Sequence, residues 1–167
     1  ISNIEGNSAG ITNLAGLEKC RSLAQLVLAD NEITDISALA ELKNIQSLNL
    51  AGNKIADLTP VSGLTGLQYL KLSDNVIVDL APLKPLENLR SLYLSGNEIK
   101  DTAAIAELSK LWSLYLDDNQ LTTIGSLSGL TRVSSLDLRG NQIADLSPLK
   151  GYTELKYLLL NGNQVVD

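Results

Sequence analysis

A strict period of 22 residues organises this chain. Seven asparagines recur at that spacing without an insertion or deletion, and a leucine stands five residues and three residues before each of them. Two positions after each asparagine comes an isoleucine, a leucine or a valine. The asparagines are Asn31, Asn53, Asn75, Asn97, Asn119, Asn141 and Asn163. A period of this length is typical of chains in which one small unit is stacked many times, each copy burying its apolar face against the next.

The motif L-x-L within each unit predicts a short β-strand. Side chains alternate across a strand, so the two leucines face one way and the residue between them faces the other. Successive strands then stack in parallel about 4.8 Å apart. A unit of 22 residues leaves little room for a returning helix, and Pro60, Pro82 and Pro148 recur at one register of the return path. This pattern predicts extended or 3₁₀ segments on the far side.

The repeat L-x-x-L-x-L-x-x-N-x-I-x-D resembles the leucine-rich repeat at the short end of its length range. Phrases such as "IADLTPVSGLTGL" and "IVDLAPLKPLENL" are most similar to the internalin-like repeats of bacterial surface proteins. The SDS22-like class of regulatory repeat proteins shares the length and stays open as the second assignment. The resemblance implies an α/β-type repeat solenoid, a right-handed horseshoe with parallel strands on its concave face and extended or 3₁₀ segments on its convex face.

We expect a single leucine-rich repeat domain over residues 1–167, with about seven repeats. Residues 1–22 form a degenerate N-terminal repeat, because Ile4 keeps the leucine register whereas Ala9 stands where an asparagine belongs. Residues 155–167 form an incomplete C-terminal repeat that stops just past its strand. Because an apolar end would be left uncovered there, we expect that the chain is a segment of a longer protein.

The asparagines are interpreted as structural. Each amide has two donor hydrogens and an acceptor oxygen for the turn that follows its strand, so the seven side chains are predicted to form a ladder. None is followed by x-Ser or x-Thr, which argues against glycosylation. A column of aspartates recurs with the same period and is assigned to turn chemistry: Asp35, Asp57, Asp79, Asp101, Asp145 and Asp167.

Composition argues against several classes of function. There is no histidine and a single cysteine, so histidine-based catalytic triads are excluded and a structural zinc site is hard to build. Cys20 takes the register of the core leucine Leu42 and is predicted to be buried. Asp117 and Asp118 could suggest a cation site, but Asn119 after them belongs to the ladder and no calcium-loop spacing surrounds them. We therefore predict no enzymatic activity, no metal and no cofactor.

Charge and hydropathy also limit the partners. The net charge of −6 and a pI near 4.6 disfavour nucleic acid, which requires a basic face. No apolar run approaches the roughly 18 residues that a membrane span needs, so no membrane insertion is expected.

The variable residues on the outer face of the sheet carry the functional prediction. Five of the six aromatic residues fall in or beside these outward columns, where a core function cannot explain them: Tyr69, Tyr93, Trp112, Tyr115 and Tyr157. Charged residues lie around them: Lys71, Arg90, Asp117, Asp137 and Arg139. These ten residues are our predicted binding set. Tyr, Trp and Arg dominate the energetics of many protein interfaces because they bury a large area and carry a polar tip.

Several interpretations of this set remain open. The main one is a module that recognises a partner protein on the concave face; the alternative is that the tyrosines only stabilise the sheet by cross-strand stacking. Aromatic rings beside Ser, Asn and Asp side chains could also bind a glycan. The resemblance to internalins implies a bacterial surface or secreted location, whereas the SDS22-like alternative implies an intracellular regulatory or scaffold subunit in the cytoplasm.

Overall fold

The computed structural model describes residues 1–166, which form one eight-stranded parallel sheet. The strands follow one another in chain order, and each pairs with the next at a displacement of 22 residues, as Leu70 does with Leu92. Each strand is three residues long: β1 Asn3–Glu5, β2 Gln25–Val27, β3 Ser47–Asn49, β4 Tyr69–Lys71, β5 Ser91–Tyr93, β6 Ser113–Tyr115, β7 Ser135–Asp137 and β8 Tyr157–Leu159.

The far side of the stack consists of 3₁₀ segments, as the sequence predicts. They are Leu17–Lys19, Ser37–Leu39, Thr59–Val61, Ala81–Leu83, Ala103–Ile105, Gly125–Gly129 and Ser147–Gly151. Three of the segments have a proline in their first turn: Pro60, Pro82 and Pro148. The N–H groups of a first turn have no partner within the segment, so proline, which lacks an N–H, breaks no hydrogen bond there. With strands on one face and 3₁₀ turns on the other, the predicted leucine-rich repeat solenoid is confirmed.

A single apolar core lies between the strands and the 3₁₀ segments. The central strand leucines, for example Leu70, Leu92 and Leu114, have no exposed surface. Tyr152 replaces a core leucine and remains buried, and its hydroxyl donates a hydrogen bond to the carbonyl oxygen of Leu127 at 2.7 Å. Cys20, predicted to be buried, is only partly buried and packs against the core from the first repeat.

The asparagine side chains hydrogen-bond to backbone groups of two successive repeats. The Nδ2 atom of Asn75 donates to Leu50 O and Leu72 O at 3.0 Å and to Ser73 O at 3.2 Å. Its Oδ1 atom accepts the N–H of Ile55 at 2.9 Å. Each amide therefore binds polar groups that the turn would otherwise bury without partners.

The aspartate column forms the predicted turns. Oδ1 of Asp57 accepts the N–H of Thr59 at 2.8 Å, so the carboxylate fixes the chain where the 3₁₀ segment begins. The same bond, at the same distance, is made by Asp35, Asp79, Asp101 and Asp145. Asp167, the last member of the column, lies outside the described residues.

Aspartate and glycine alternate at the turns just after strands β2 to β7. Asp74 and Gly96 occupy this position in neighbouring repeats, and both have a left-handed backbone, with φ of 56° and 64°. The Asp74 carboxylate fills the space where a side chain on residue 96 would begin. The pairs Asp30 with Gly52 and Asp118 with Gly140 repeat this arrangement, which gives the turns a period of two repeats.

Candidate binding surface

Three tyrosines form a continuous row across the outer face of the sheet, and we call them the tyrosine stack: Tyr69, Tyr93 and Tyr115. The rings of Tyr93 and Tyr115, on paired strands β5 and β6, are stacked with centroids 4.8 Å apart and planes 21° apart. Tyr69 on β4 lies on the other side of Tyr93, at 5.3 Å and 45°. Tyr93 and Tyr115 stack because the outward position between two buried leucines is a tyrosine in two successive repeats, and Tyr69 joins them from the outward position just before Leu70.

The stack is half-buried and polar at its margin. Burial raises the pKa of Tyr69 and of Tyr93 above the usual value, and a neighbouring tyrosine adds to each shift. Both phenols are therefore neutral at physiological pH and can donate a hydrogen bond. The ammonium group of Lys71 lies 6.0 Å from the centre of the Tyr93 ring, within the range of a cation–π contact.

Hydrogen bonds continue the surface from Tyr115 toward β7. The hydroxyl of Tyr115 lies 3.1 Å from Ser135 Oγ. Asp117 accepts a hydrogen bond from the hydroxyl of Ser95. These bonds hold the polar side chains beside the stack in fixed positions.

Arg139 and Asp137 form a second fixed element on this side. Nε of Arg139 donates to both carboxylate oxygens of Asp137, at 2.9 and 3.1 Å, and Nη2 donates to Oδ2 at 2.6 Å. This pairing raises the pKa of the Arg139 guanidinium. Because Asp137 is 1 % exposed whereas Arg139 is exposed, a partner would meet the guanidinium rather than the carboxylate.

The predicted binding set is not one continuous cluster. The residues at the stack and beside it are Tyr69, Lys71, Tyr93, Tyr115, Asp117, Asp137 and Arg139. Trp112 and Arg90 lie instead at the edge of the sheet where the strands begin, directly before β6 and β5. Tyr157 starts β8 and is 67 % exposed, two strands beyond Tyr115.

Sequence reasoning included Arg90 but left out the other neighbours of Trp112. Arg90, Lys110, Trp112 and Arg132 line one shallow hollow of about 370 Å³. Trp112, Arg132, Ser134, Glu154 and Lys156 line an adjoining one of about 310 Å³. The sequence does place these residues together, because Lys110 and Arg132 are 22 residues apart and so share one register. That register lies in the turn before the strand, outside the outward columns used for the prediction.

Within residues 1–166, no cluster of three or more Cys, Asp or Glu side chains has the arrangement of a metal site. No helix in that range is long and apolar enough to cross a membrane.

Comparison with known families identifies the repeat. The family described as "Leucine Rich repeats (2 copies)" matches in five overlapping segments, at residues 21–63, 43–85, 65–109, 87–129 and 109–151. Together these segments span residues 21–151, most of the chain. No curated protein gives a significant match.

Solved structures include two similar internalins of Listeria monocytogenes. The first, inlF, is 33 % identical with a TM-score of 0.91, over 93 % of this chain and 46 % of that one. The second, inlC2, is 34 % identical with a TM-score of 0.84, over 96 % of this chain and 80 % of that one. This chain therefore spans less than half the length of the first internalin. Its repeats are internalin-like.

A third similar structure comes from a plant. It is the leucine-rich repeat ectodomain of the membrane receptor kinase GASSHO1/SCHENGEN3 of Arabidopsis thaliana, in complex with CASPARIAN STRIP INTEGRITY FACTOR 2. It is 26 % identical with a TM-score of 0.82, over 92 % of this chain and 20 % of that one.

Proposed function

We propose that this chain, which belongs to the leucine-rich repeat family, is a non-enzymatic module that recognises a partner protein through the concave face of its sheet. The tyrosine stack carries the proposal. Three half-buried aromatic rings in contact provide a rigid apolar platform with hydroxyl groups at its margin, and such rings lose little rotamer entropy on binding. The Arabidopsis ectodomain, whose structure holds a bound factor, supports protein recognition by a similar solenoid.

The surroundings of the stack favour an interface over sheet stabilisation alone. Stacking accounts for Tyr93 and Tyr115, which face each other on paired strands. It does not account for the charged residues beside the rings, Lys71, Asp117 and Arg139. Their charges would fix the orientation of a partner that packs against the rings. An apolar centre with a charged border is the usual composition of a protein interface.

Ring geometry favours a protein over a glycan. A sugar binds an aromatic residue by lying against one face of the ring. Tyr115 stacks on one side of Tyr93, and Tyr69 packs at its other side. Tyr93 therefore presents its edge and hydroxyl, which suit the side chains and backbone of a protein better than the face of a sugar.

Similarity to two internalins supports a bacterial surface or secreted protein as the setting, with a host or neighbouring protein as the partner. An intracellular regulatory or scaffold subunit is the alternative. Location of the full-length protein by cell fractionation separates the two, because a surface or secreted protein would be recovered outside the cytoplasm.

Photo-crosslinking tests the binding surface directly. A photo-reactive residue in place of Lys71 lies beside the intact stack, and one in place of Lys84, at the end of a 3₁₀ segment on the far side, is the matched control. With membrane and culture-supernatant extracts of candidate host and neighbouring cells, we expect a discrete protein adduct at position 71 only. The adduct should disappear when Tyr93→Ala and Tyr115→Ala are added. Equal adducts at both positions, or hits confined to a glycan array, would refute the proposal.

A further inference from the structure

Positively charged side chains surround Trp112 at the edge of the sheet where the strands begin. Arg90, Trp112 and Lys156 each directly precede a strand, and Lys110 and Arg132 lie two positions before that register. We call these five residues the basic rim. The Trp112 N–H donates to Arg90 O, and the Trp112 carbonyl accepts the N–H of Ser134, each at 2.8 Å. These bonds place the rim residues on successive rungs of one ladder.

The rim has unneutralised charge. The two ion pairs within residues 1–166 are Lys54 with Glu32 and Arg139 with Asp137, and neither includes a rim residue. Nζ of Lys110 donates to Asn88 Oδ1 at 2.7 Å, a bond that fixes its position without cancelling its charge. One carboxylate, Glu154, lines the hollow that Arg132 and Lys156 also line, and the hollow beside Lys110 is lined by three cations and Trp112.

The fold does not require this arrangement. Lys110 and Arg132 share one register in neighbouring repeats, where like charges repel each other, and Glu154 in the same register of the next repeat offsets only part of that charge. Trp112 is 56 % exposed, so a large apolar surface remains in water. In a chain of net charge −6, a scaffold role gives no reason to gather cations around an exposed indole.

The opposite edge of the sheet is mainly acidic. Asp74, Asp117 and Asp118 follow the strands there, and Asp74 and Asp118 are exposed. Arg139 is an exposed cation at that edge, but it is paired with Asp137. A partner with negative charge would therefore be attracted more strongly to the basic rim than to the other edge, which favours one orientation.

We propose that the basic rim binds an acidic segment of a protein partner. Carboxylates of the segment pair with Arg90, Lys110 and Arg132, and an apolar or aromatic side chain of the same segment packs on Trp112. Trp and Arg together are the most frequent anchors of protein interfaces. The inference rests on the proposed function in one respect, that the partner is a protein; its residues are separate from the tyrosine stack.

Trp112 provides the measurement, because it is the only tryptophan of the chain. The probe is a tryptophan-free synthetic peptide in which glutamates flank phenylalanines, and the control peptide has lysines in place of the glutamates. We expect a saturable blue shift of Trp112 emission with the acidic peptide, weakened by added salt, and no shift with the basic one. Anisotropy of a fluorescently labelled acidic peptide gives the same binding curve independently.

Matched variants locate the binding. The double variant Lys110→Gln, Arg132→Gln should bind the acidic peptide with an affinity at least about tenfold lower. Lys84→Gln with Lys100→Gln removes the same charge from exposed lysines elsewhere and should leave the affinity unchanged. The double variant Tyr93→Ala, Tyr115→Ala should also leave the affinity for the acidic peptide unchanged. The proposal for the tyrosine stack and the proposal for the basic rim can then fail independently.

Three results would overturn the inference. These are no binding of the acidic peptide to the wild-type protein, equal loss of affinity in the two charge variants, and binding of a heparin oligosaccharide in preference to the peptide. The last would assign the rim to an anionic polysaccharide.

Discussion

The carboxylate of Asp74 lies against Gly96 of the next repeat, in the space where a Cβ on residue 96 would stand. Gly96→Ala should therefore be destabilising for two reasons, the left-handed backbone at φ 64° and the collision with Asp74. We expect a loss of about 2 to 4 kcal/mol in the free energy of unfolding, measured by urea denaturation.

A double-mutant cycle separates the two reasons. The background is Asp74→Gly, because glycine suits the left-handed conformation at residue 74. In this background Gly96→Ala should cost only about 1 to 2 kcal/mol, the part of the loss that comes from the left-handed backbone at residue 96. An equal cost in both backgrounds would show that the carboxylate does not determine the choice of glycine at position 96.

Much of this fold follows from the periodicity of the sequence. A spacing of 22 residues without insertions fixes which leucines pair, and Leu70 opposite Leu92 is one instance among seven strand pairings. The prolines likewise predicted the 3₁₀ turns. The partial burial of Cys20 could not be obtained in this way, because a register predicts the direction of a side chain and does not show how completely its neighbours cover it.

The candidate surface was less predictable than the fold. Outward columns brought Tyr93 and Tyr115 together, since paired strand positions are neighbours in space. They placed Trp112 in the same cluster, whereas it lies at the strand-start edge with Lys110 and Arg132, outside the strands. Asp137 was expected to be available to a partner, and the guanidinium of Arg139, two residues later, covers it.

The buried hydroxyl of Tyr152 makes the fold sensitive to alkali. Burial raises the pKa of Tyr152 to about 12, above the usual value of 10.0. Because the unfolded chain loses this proton first, the contribution of Tyr152 to stability is complete below pH 10 and is lost as the pH rises toward 12. Tyr152→Phe should be less stable at neutral pH by about 1 kcal/mol, since it removes one of the two hydrogen bonds to the carbonyl of Leu127, which keeps the N–H of Leu130 as a donor.

Unfolding by urea at a series of pH values between 8 and 12 checks this. We expect a shallower decline for Tyr152→Phe than for the wild-type protein. Tyr157→Phe is the matched control, because Tyr157 is exposed. Parallel curves for Tyr152→Phe and the wild type would contradict the assignment.

The asparagine ladder should contribute most in the middle of the stack. Asn97 is buried, donates to Leu72, Leu94 and Ser95, and accepts the N–H of Ile77. Asn97→Ala should cost about 2 to 4 kcal/mol, because it leaves the buried N–H of Ile77 without a partner and removes one of the two hydrogen bonds at the carbonyls of Leu72, Leu94 and Ser95. Asn163 in the last repeat is only partly buried, and Asn163→Ala should cost about 1 kcal/mol or less. Equal losses by thermal or urea unfolding would show that solvent does not replace the bonds of the terminal amide.

The tyrosine stack should matter more for binding than for stability. Tyr93→Ala with Tyr115→Ala removes one stacked pair from a half-buried surface, and we expect a loss of no more than about 1 to 2 kcal/mol in the free energy of unfolding. The same variant should abolish capture of the protein that crosslinks at position 71. Tyr93→Phe with Tyr115→Phe keeps the rings and removes the hydroxyls, so it should retain the stability of the sheet and weaken binding only partly. A large loss of stability in the alanine variant, with partner capture intact wherever the protein remains folded, would mean that these rings serve the sheet and that recognition lies elsewhere on the solenoid.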